Sequence, residues 1–263
     1  MRIKSVLRQI FMWGLAAIAA LLVVLHGNSV GSNSLVIAAE TPQSQHSESV
    51  ILPPSKPHPL PATLAQWYDQ TNSDDYFLEV KPTKIGYLIW SQFPIKVYIQ
   101  QPQLESSDAD ILQSWANEVL QAIQEWSVYL PLQVIAQPEG ADIKIMRSSP
   151  PLRIAPNQMP RARSAETSYE FYINSNNLLS HRCSILLSPS QAGQYLQAAA
   201  RHEFGHALGI WGHSSLQSDA LYFAQVRNPP LISARDANTL KRIYEQPTQL
   251  GWSLQRHRAD INS

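Results

Sequence analysis

The chain of 263 residues has one cysteine, Cys183. No internal disulfide can form, so stability has to come from a packed core. In its apolar stretch this thiol reads as a small buried hydrophobe. Net charge is also missing, because 20 basic and 20 acidic side chains cancel. That removes the electrostatic reason to expect nucleic-acid binding. No internal repeat is visible. There is no aspartate-rich loop to support a Ca2+ site, and Asp74-Asp75 alone is too little. Glycine is scarce and proline is not, at 10 and 19 residues. With 44% hydrophobic residues, the composition is compatible with a real core carrying long loops.

Residues 1–39 read as a targeting segment. Arg2, Lys4 and Arg8 make a positive start, and Ile10 to Leu25 carries no charge. That run is longer than a usual signal-peptide core and short for a spanning helix. Val36-Ile37-Ala38-Ala39 is a poor and late cleavage site. A cleaved signal peptide and a retained N-terminal membrane anchor, with membrane contact through residues 10–25, are both open. Either implies export, as a secreted, periplasmic or tethered protein. Residues 40–62, rich in Pro, Ser, Gln and His, read as a flexible or extended linker, with His46 and His58 solvated. A folded domain is expected over 63–247 and a polar, fraying tail over 248–263.

Within that domain Ile95 to Ile99 alternates as a strand should. Ile111, Trp115, Val119, Ile123 and Trp126 form the apolar stripe of a helix over 108–126. Leu132–Ile135 and Ala141–Met146 read as short strands, with a turn at Pro138-Glu139-Gly140. A proline-punctuated loop over 150–160 follows. Ala165–Ile173 has weak strand character, and Cys183–Leu187 is a short apolar strand. Ser188-Pro189-Ser190-Gln191 has the composition of a helix start. The helix it opens carries small Ala199, Ala200 and Ala207, which permit close approach to a sheet. Phe223 to Ile232 reads as a loop, and Ser233-Ala234-Arg235-Asp236 as a second helix cap before Ala237, Leu240 and Tyr244.

The chemistry lies in Arg201 to Ser214. His202 and His206 are four residues apart, which on a helix puts both imidazoles on one face. Two neutral ring nitrogens can then reach one metal ion. Glu203 is rotated about 100° from His202, so it flanks the ion and need not bind it. Its carboxylate is placed to hold a metal-bound water and take its proton. Gly209 suits the end of the helix, since glycine tolerates the left-handed conformation found there. The chain can turn back and present His213 as a third ligand, leaving a fourth position for water or substrate.

This run, His-Glu-Phe-Gly-His-Ala-Leu-Gly-Ile-Trp-Gly-His, resembles the metzincin zinc peptidases, and most of all bacterial matrixin-like catalytic domains. The resemblance covers roughly residues 88–244. It implies an α+β, metzincin-like zincin fold: a mixed twisted sheet of about five strands, a backing helix, a metal-site helix and a C-terminal helix. It implies a zinc metalloendopeptidase with one catalytic Zn2+, ligands His202, His206 and His213, general base Glu203, and a peptide or protein substrate. The substrate would lie along the edge strand Ala165–Ile173, near Arg161 and Arg163, and the loop Phe223–Ile232 would wall the specificity pocket. Two departures stand out. The family spacing is HExxHxxGxxH, and here the third histidine comes one residue late. Gly212 could absorb the extra residue as a bulge; otherwise Asp219 or a second water could complete the ligand shell. Leu221 stands where the family has the methionine of its turn, in Asp219-Ala220-Leu221-Tyr222-Phe223, and Tyr222 reads as packing or pocket wall. These departures motivate two alternatives. One is a zinc-binding envelope domain with little or no proteolytic activity, acting as an interaction module. The other is a tethered module whose motif is vestigial.

Overall fold

The computed structural model describes residues 50–101, 108–152 and 163–256. The elements, in chain order, are β1 (Val50–Ile51), α1 (Ala62–Gln66), β2 (Ile95–Ile99), α2 (Ala109–Gln124), β3 (Leu132–Ile135), β4 (Ile143–Arg147), β5 (Ala165–Ile173), β6 (Leu179–Leu187), α3 (Gly193–Leu208), α4 (Ala234–Tyr244) and β7 (Gln255–Arg256). The fold is α+β. Its main sheet has five strands in the order β3-β2-β4-β6-β5. The first four are parallel, and β5 runs antiparallel to β6, from Ala165 opposite Leu187 to Ile173 opposite Leu179. β5 therefore forms one edge, as expected for Ala165–Ile173. Leu132–Ile135 and the strand after it are not neighbours. They flank β2 on opposite sides, because parallel partners need a crossover and α2 supplies it.

The stripe of α2 differs from its expected form at one residue. Trp115, Ala116, Val119, Ala122 and Ile123 are buried, and Trp126 follows in a 3-10 turn, but Ile111 is 55% exposed. Successive steps of four residues advance about 40° each beyond full turns, so Ile111 has rotated off the face that holds Ile123. α3 packs against α2, β5 and β6, and its inner residues Leu196, Ala200, Phe204 and Ala207 join the same core. Its start was expected at the Ser188 cap. It begins instead at Gly193, with Ala192 extended before it and no side-chain cap. Ser188 spends its hydroxyl on Ser190 and its carbonyl on the Gln191 N–H, closing a local turn that competes with the helix. The second cap holds as expected: the Ser233 hydroxyl accepts from the Asp236 N–H, and the Asp236 carboxylate accepts from the Ser233 N–H.

Two terminal stretches depart from the expected linker and fraying tail. Lys56 and Thr248 exchange backbone hydrogen bonds. His58, expected in solvent, donates from Nε2 to the Leu250 carbonyl at 2.8 Å and stacks on Trp252. Leu250 and Leu254 are buried with Ile85, Leu88, Phe171 and Leu179. The polar average over the tail conceals two leucines with an apolar surface to cover, and burying each is worth roughly 1.5–3 kcal/mol. His46, Arg161, most of the 150–160 loop and residues 1–39 lie outside the described residues. Among the described residues no helix is long and apolar enough to cross a membrane.

β6 begins four residues before the expected Cys183, because its polar start also alternates: Leu179, His181, Cys183, Ile185 and Leu187 all point inward. Cys183 is a buried free thiol, as expected. His181 stacks on Trp90 at 3.9 Å. Burial pushes its pKa down from the ordinary 6.5 to about 3. The unfolded chain therefore binds a proton below about pH 6.5 that the folded chain refuses until about pH 3. Stability contributed by neutral His181 is present above 6.5 and is lost as pH falls through that window, by a few kcal/mol in all, at roughly 1.4 per unit. Urea unfolding of wild type and His181→Phe at pH 7 and pH 4.5 checks this. The variant should lose less stability on acidification, and equal losses would refute the assignment.

Candidate metal centre

His202 and His206 sit one turn apart in the C-terminal half of α3. Their Nε2 atoms are 3.1 Å apart. Each Nδ1 faces a main-chain carbonyl, Ala220 at 2.9 Å for His202 and Ile210 at 2.6 Å for His206. A carbonyl oxygen only accepts, so both Nδ1 atoms carry the proton and donate it. In a neutral ring held this way, Nε2 is a bare lone pair. Burial first, then the neighbouring His202, hold His206 well below the ordinary histidine range, so it stays neutral. Two lone pairs 3.1 Å apart repel; a cation between them turns repulsion into attraction. His213 completes a triangle, and one ligand atom from each of the three rings lies within 4.8 Å of the others. Partial burial pushes the His213 pKa down to about 4, with His202 adding to the effect, so its ring too is a neutral donor near pH 7. No other such group of three is found among the described residues.

The backbone explains how His213 arrives. α3 ends at Leu208, and Gly209 adopts φ +128°, where a Cβ would lie 2.4 Å from the Leu88 carbonyl oxygen. The turn brings the Ile210 carbonyl back onto His206. The extra residue is accommodated where the chain is pressed against 79–81. The Trp211 carbonyl accepts from the Lys81 N–H, and a Cβ on Gly212 would fall 2.2 Å from the Glu79 oxygen. Only glycine fits there. Beyond His213, the Ser214 N–H donates to the Leu221 carbonyl, closing the loop that carries Ala220 to His202. Leu221 is fully buried beneath α3. A Cβ on Gly205 would lie 2.7 Å from a Leu221 methyl and 3.0 Å from the Trp126 ring, so the leucine fills the space under the helix.

Asp219 does not stand with the three histidines. Its Oδ2 accepts from the Ser214 hydroxyl and, at 3.0 Å, from Arg235 Nε. Asp236 sits below it, fully buried, and accepts from the N–H groups of Ala220, Leu221 and Ser233 and from the Tyr76 hydroxyl. It thereby holds the turn whose carbonyl orients His202. The helix cap was legible in sequence, but the wider role was not, because Tyr76 lies 160 residues away.

Glu203 turns toward β5. Its Oε2 accepts from the Thr167 hydroxyl at 2.6 Å. Burial pushes the carboxyl above the ordinary glutamate range, His202 and the Thr167 hydroxyl pull it back, and Glu166 adds to the rise. Arg201, beside His202, is buried. It forms a two-pronged ion pair with Glu125 and donates to the Pro230 carbonyl at 2.9 Å. One guanidinium so joins α3, the end of α2 and the loop over 223–232. Thr167, Arg201 and Asp236 are the residues that sequence reasoning missed as parts of the site.

Glu203 and the three histidines open into a cleft of about 740 Å³. One wall is the start of the edge strand, Ala165 to Thr167; the other includes Tyr222, Phe223 and Pro229-Pro230. Tyr222 stands as pocket wall. Arg163 lines the rim, paired with Glu166 at 3.2 Å. A second cavity of about 490 Å³, lined by Asp142 and His181, lies toward the opposite end of the sheet and holds no such trio. No protein-family model matches this chain, and no curated protein matches it.

Proposed function

We propose that this chain is a zinc-dependent endopeptidase of the metzincin type, closest in pattern to matrixin-like domains, with His202, His206 and His213 as ligands and Glu203 as general base. The observation that carries this reading is the pair of Nε2 atoms 3.1 Å apart, each ring held with its Nδ1 against a main-chain carbonyl. Metal-binding histidines donate their other ring nitrogen in this way, which sets the tautomer and raises ligand basicity. The separation is near the roughly 3.4 Å between two nitrogens about 2.0–2.1 Å from one tetrahedral ion. Three imidazoles and an open fourth position fit a catalytic zinc ion, which supplies Lewis acidity near neutral pH.

The chain's own residues supply the rest. Glu203 takes a proton from the attacking water as the new C–O bond forms. It then delivers that proton to the leaving nitrogen as the C–N bond breaks, giving an acid and an amine. Its raised affinity for protons, from burial, suits a group that must both take and release one. The free edge of β5 suits an extended substrate backbone, and the cleft wall at Pro229-Pro230 limits what lies beyond it. Export as a secreted, periplasmic or tethered protein rests on the basic and apolar start at residues 1–39.

Purified full-length chain should carry one zinc ion per molecule and cleave casein, and chelation should stop cleavage until zinc is returned. Zinc without cleavage would support the interaction-module reading instead; no zinc after reconstitution would refute the metal centre.

A further inference from the structure

We infer that Thr167 is the positioning residue of the general base: its hydroxyl grips Glu203 Oε2 and leaves Oε1 as the oxygen that faces the reaction. This rests on the peptidase reading of Glu203. Thr167 stands third in β5, opposite Ile185 of β6, and lines the same cleft as the carboxylate. Its Oγ1 lies 2.6 Å from Glu203 Oε2 and 3.0 Å from the Glu203 main-chain oxygen. A hydroxyl has one proton to give. The main-chain oxygen sits in the interior of α3, where the helix ladder already supplies a donor. The carboxylate is the closer and the charged acceptor, so it takes the stronger bond. Thr167 supplies the protein donors to this carboxylate among the described residues, its hydroxyl first and its main-chain N–H after it. Threonine is stiff at χ1 because it is branched at Cβ. The strand therefore presents a fixed donor, and the carboxylate is held on the wall of the cleft with Oε2 committed. Misplacing a catalytic group by about 1 Å can cost about 100-fold, so an anchor on this side chain bears on kcat.

The tests use the full-length chain with Thr167→Val, which keeps the shape and removes the donor, and Thr167→Ser, which keeps the donor and removes the methyl. Thr167→Val should lower kcat about 10-fold, the worth of one hydrogen bond to a charged group, with KM and bound zinc unchanged. Thr167→Ser should restore most of the loss. A wild-type kcat in Thr167→Val would overturn the inference. So would a change confined to KM, or a serine variant as slow as the valine one. Crystal structures supply a readout that needs no activity. Glu203 should keep one rotamer against the hydroxyl in wild type and Thr167→Ser, and leave it in Thr167→Val. An unmoved carboxylate in all three refutes the grip whether or not the chain cleaves peptides. Absence of Glu203-dependent cleavage in wild type, with the carboxylate moving as described, would refute the peptidase reading and leave the grip standing.

Discussion

Glu203→Gln should lower kcat/KM for casein-derived peptides by about 100- to 10,000-fold, the range attributed to a positioned general acid–base group, while bound zinc stays at the wild-type level. Glutamine keeps the length and the oxygen that accepts from Thr167 at 2.6 Å. It cannot take a proton near neutral pH. The side chain is not among the three ligands that converge within 4.8 Å, so the metal has no reason to leave. Stability should not fall either, because removing a charge that burial disfavours offsets any loss from the weaker hydrogen bond. Peptide cleavage, zinc content and urea midpoint measured on one preparation separate these effects. Glutamine at wild-type rate would mean that another group moves the proton, and loss of zinc would mean that Glu203 is a ligand.

His206→Ala should weaken zinc binding by about 100- to 1,000-fold and abolish cleavage at micromolar zinc. Structural zinc sites bind with about 10–16 kcal/mol over four ligands, so one ligand is worth roughly 2.5–4 kcal/mol. His206 should sit at the upper end of that range. It is buried, with Nδ1 committed to the Ile210 carbonyl and Nε2 to the metal position. Its imidazole is in place before the ion arrives, and alanine leaves both a missing ligand and an unpaired carbonyl. His213→Ala should cost less. Its ring is exposed, and no hydrogen bond orients it among the described residues, so part of its binding energy is spent on ordering. Competition with a zinc chelator of known affinity measures both variants. A larger loss for His213→Ala would reverse the ranking, and unchanged affinity there would remove His213 from the ligand set.

Local pattern made several elements legible. β2 falls on the alternating residues 95–99, three of the five stripe residues are buried on α2 and a fourth, Trp126, in the 3-10 turn after it, and α4 starts at its serine–aspartate cap. Where patterns competed, the reading slipped. Ser188 caps a turn of its own and not α3. His181 interrupts an apolar run yet points inward, so β6 is longer than its apolar half. The tail looked polar on average, but Leu250 and Leu254 decide where it goes.

At the site, the sequence alone determined that His202 and His206 share a face of one helix, that Glu203 stands beside them, and that the helix stops at Gly209. These follow from a repeat of about 3.6 residues and from the backbone freedom of glycine. Only the tertiary structure decided which ring nitrogens are bare, since the carbonyls that take the Nδ1 protons come from Ile210 and from Ala220, beyond the loop. It also decided that Leu221 fills the floor beneath Gly205, that Gly212 slips past Glu79, and that Thr167 holds the Glu203 carboxylate from 36 residues away. Helical spacing is a property of neighbours along the chain. Which carbonyl or hydroxyl meets a side chain depends on the order of the strands and the closure of the loops, which no local pattern encodes.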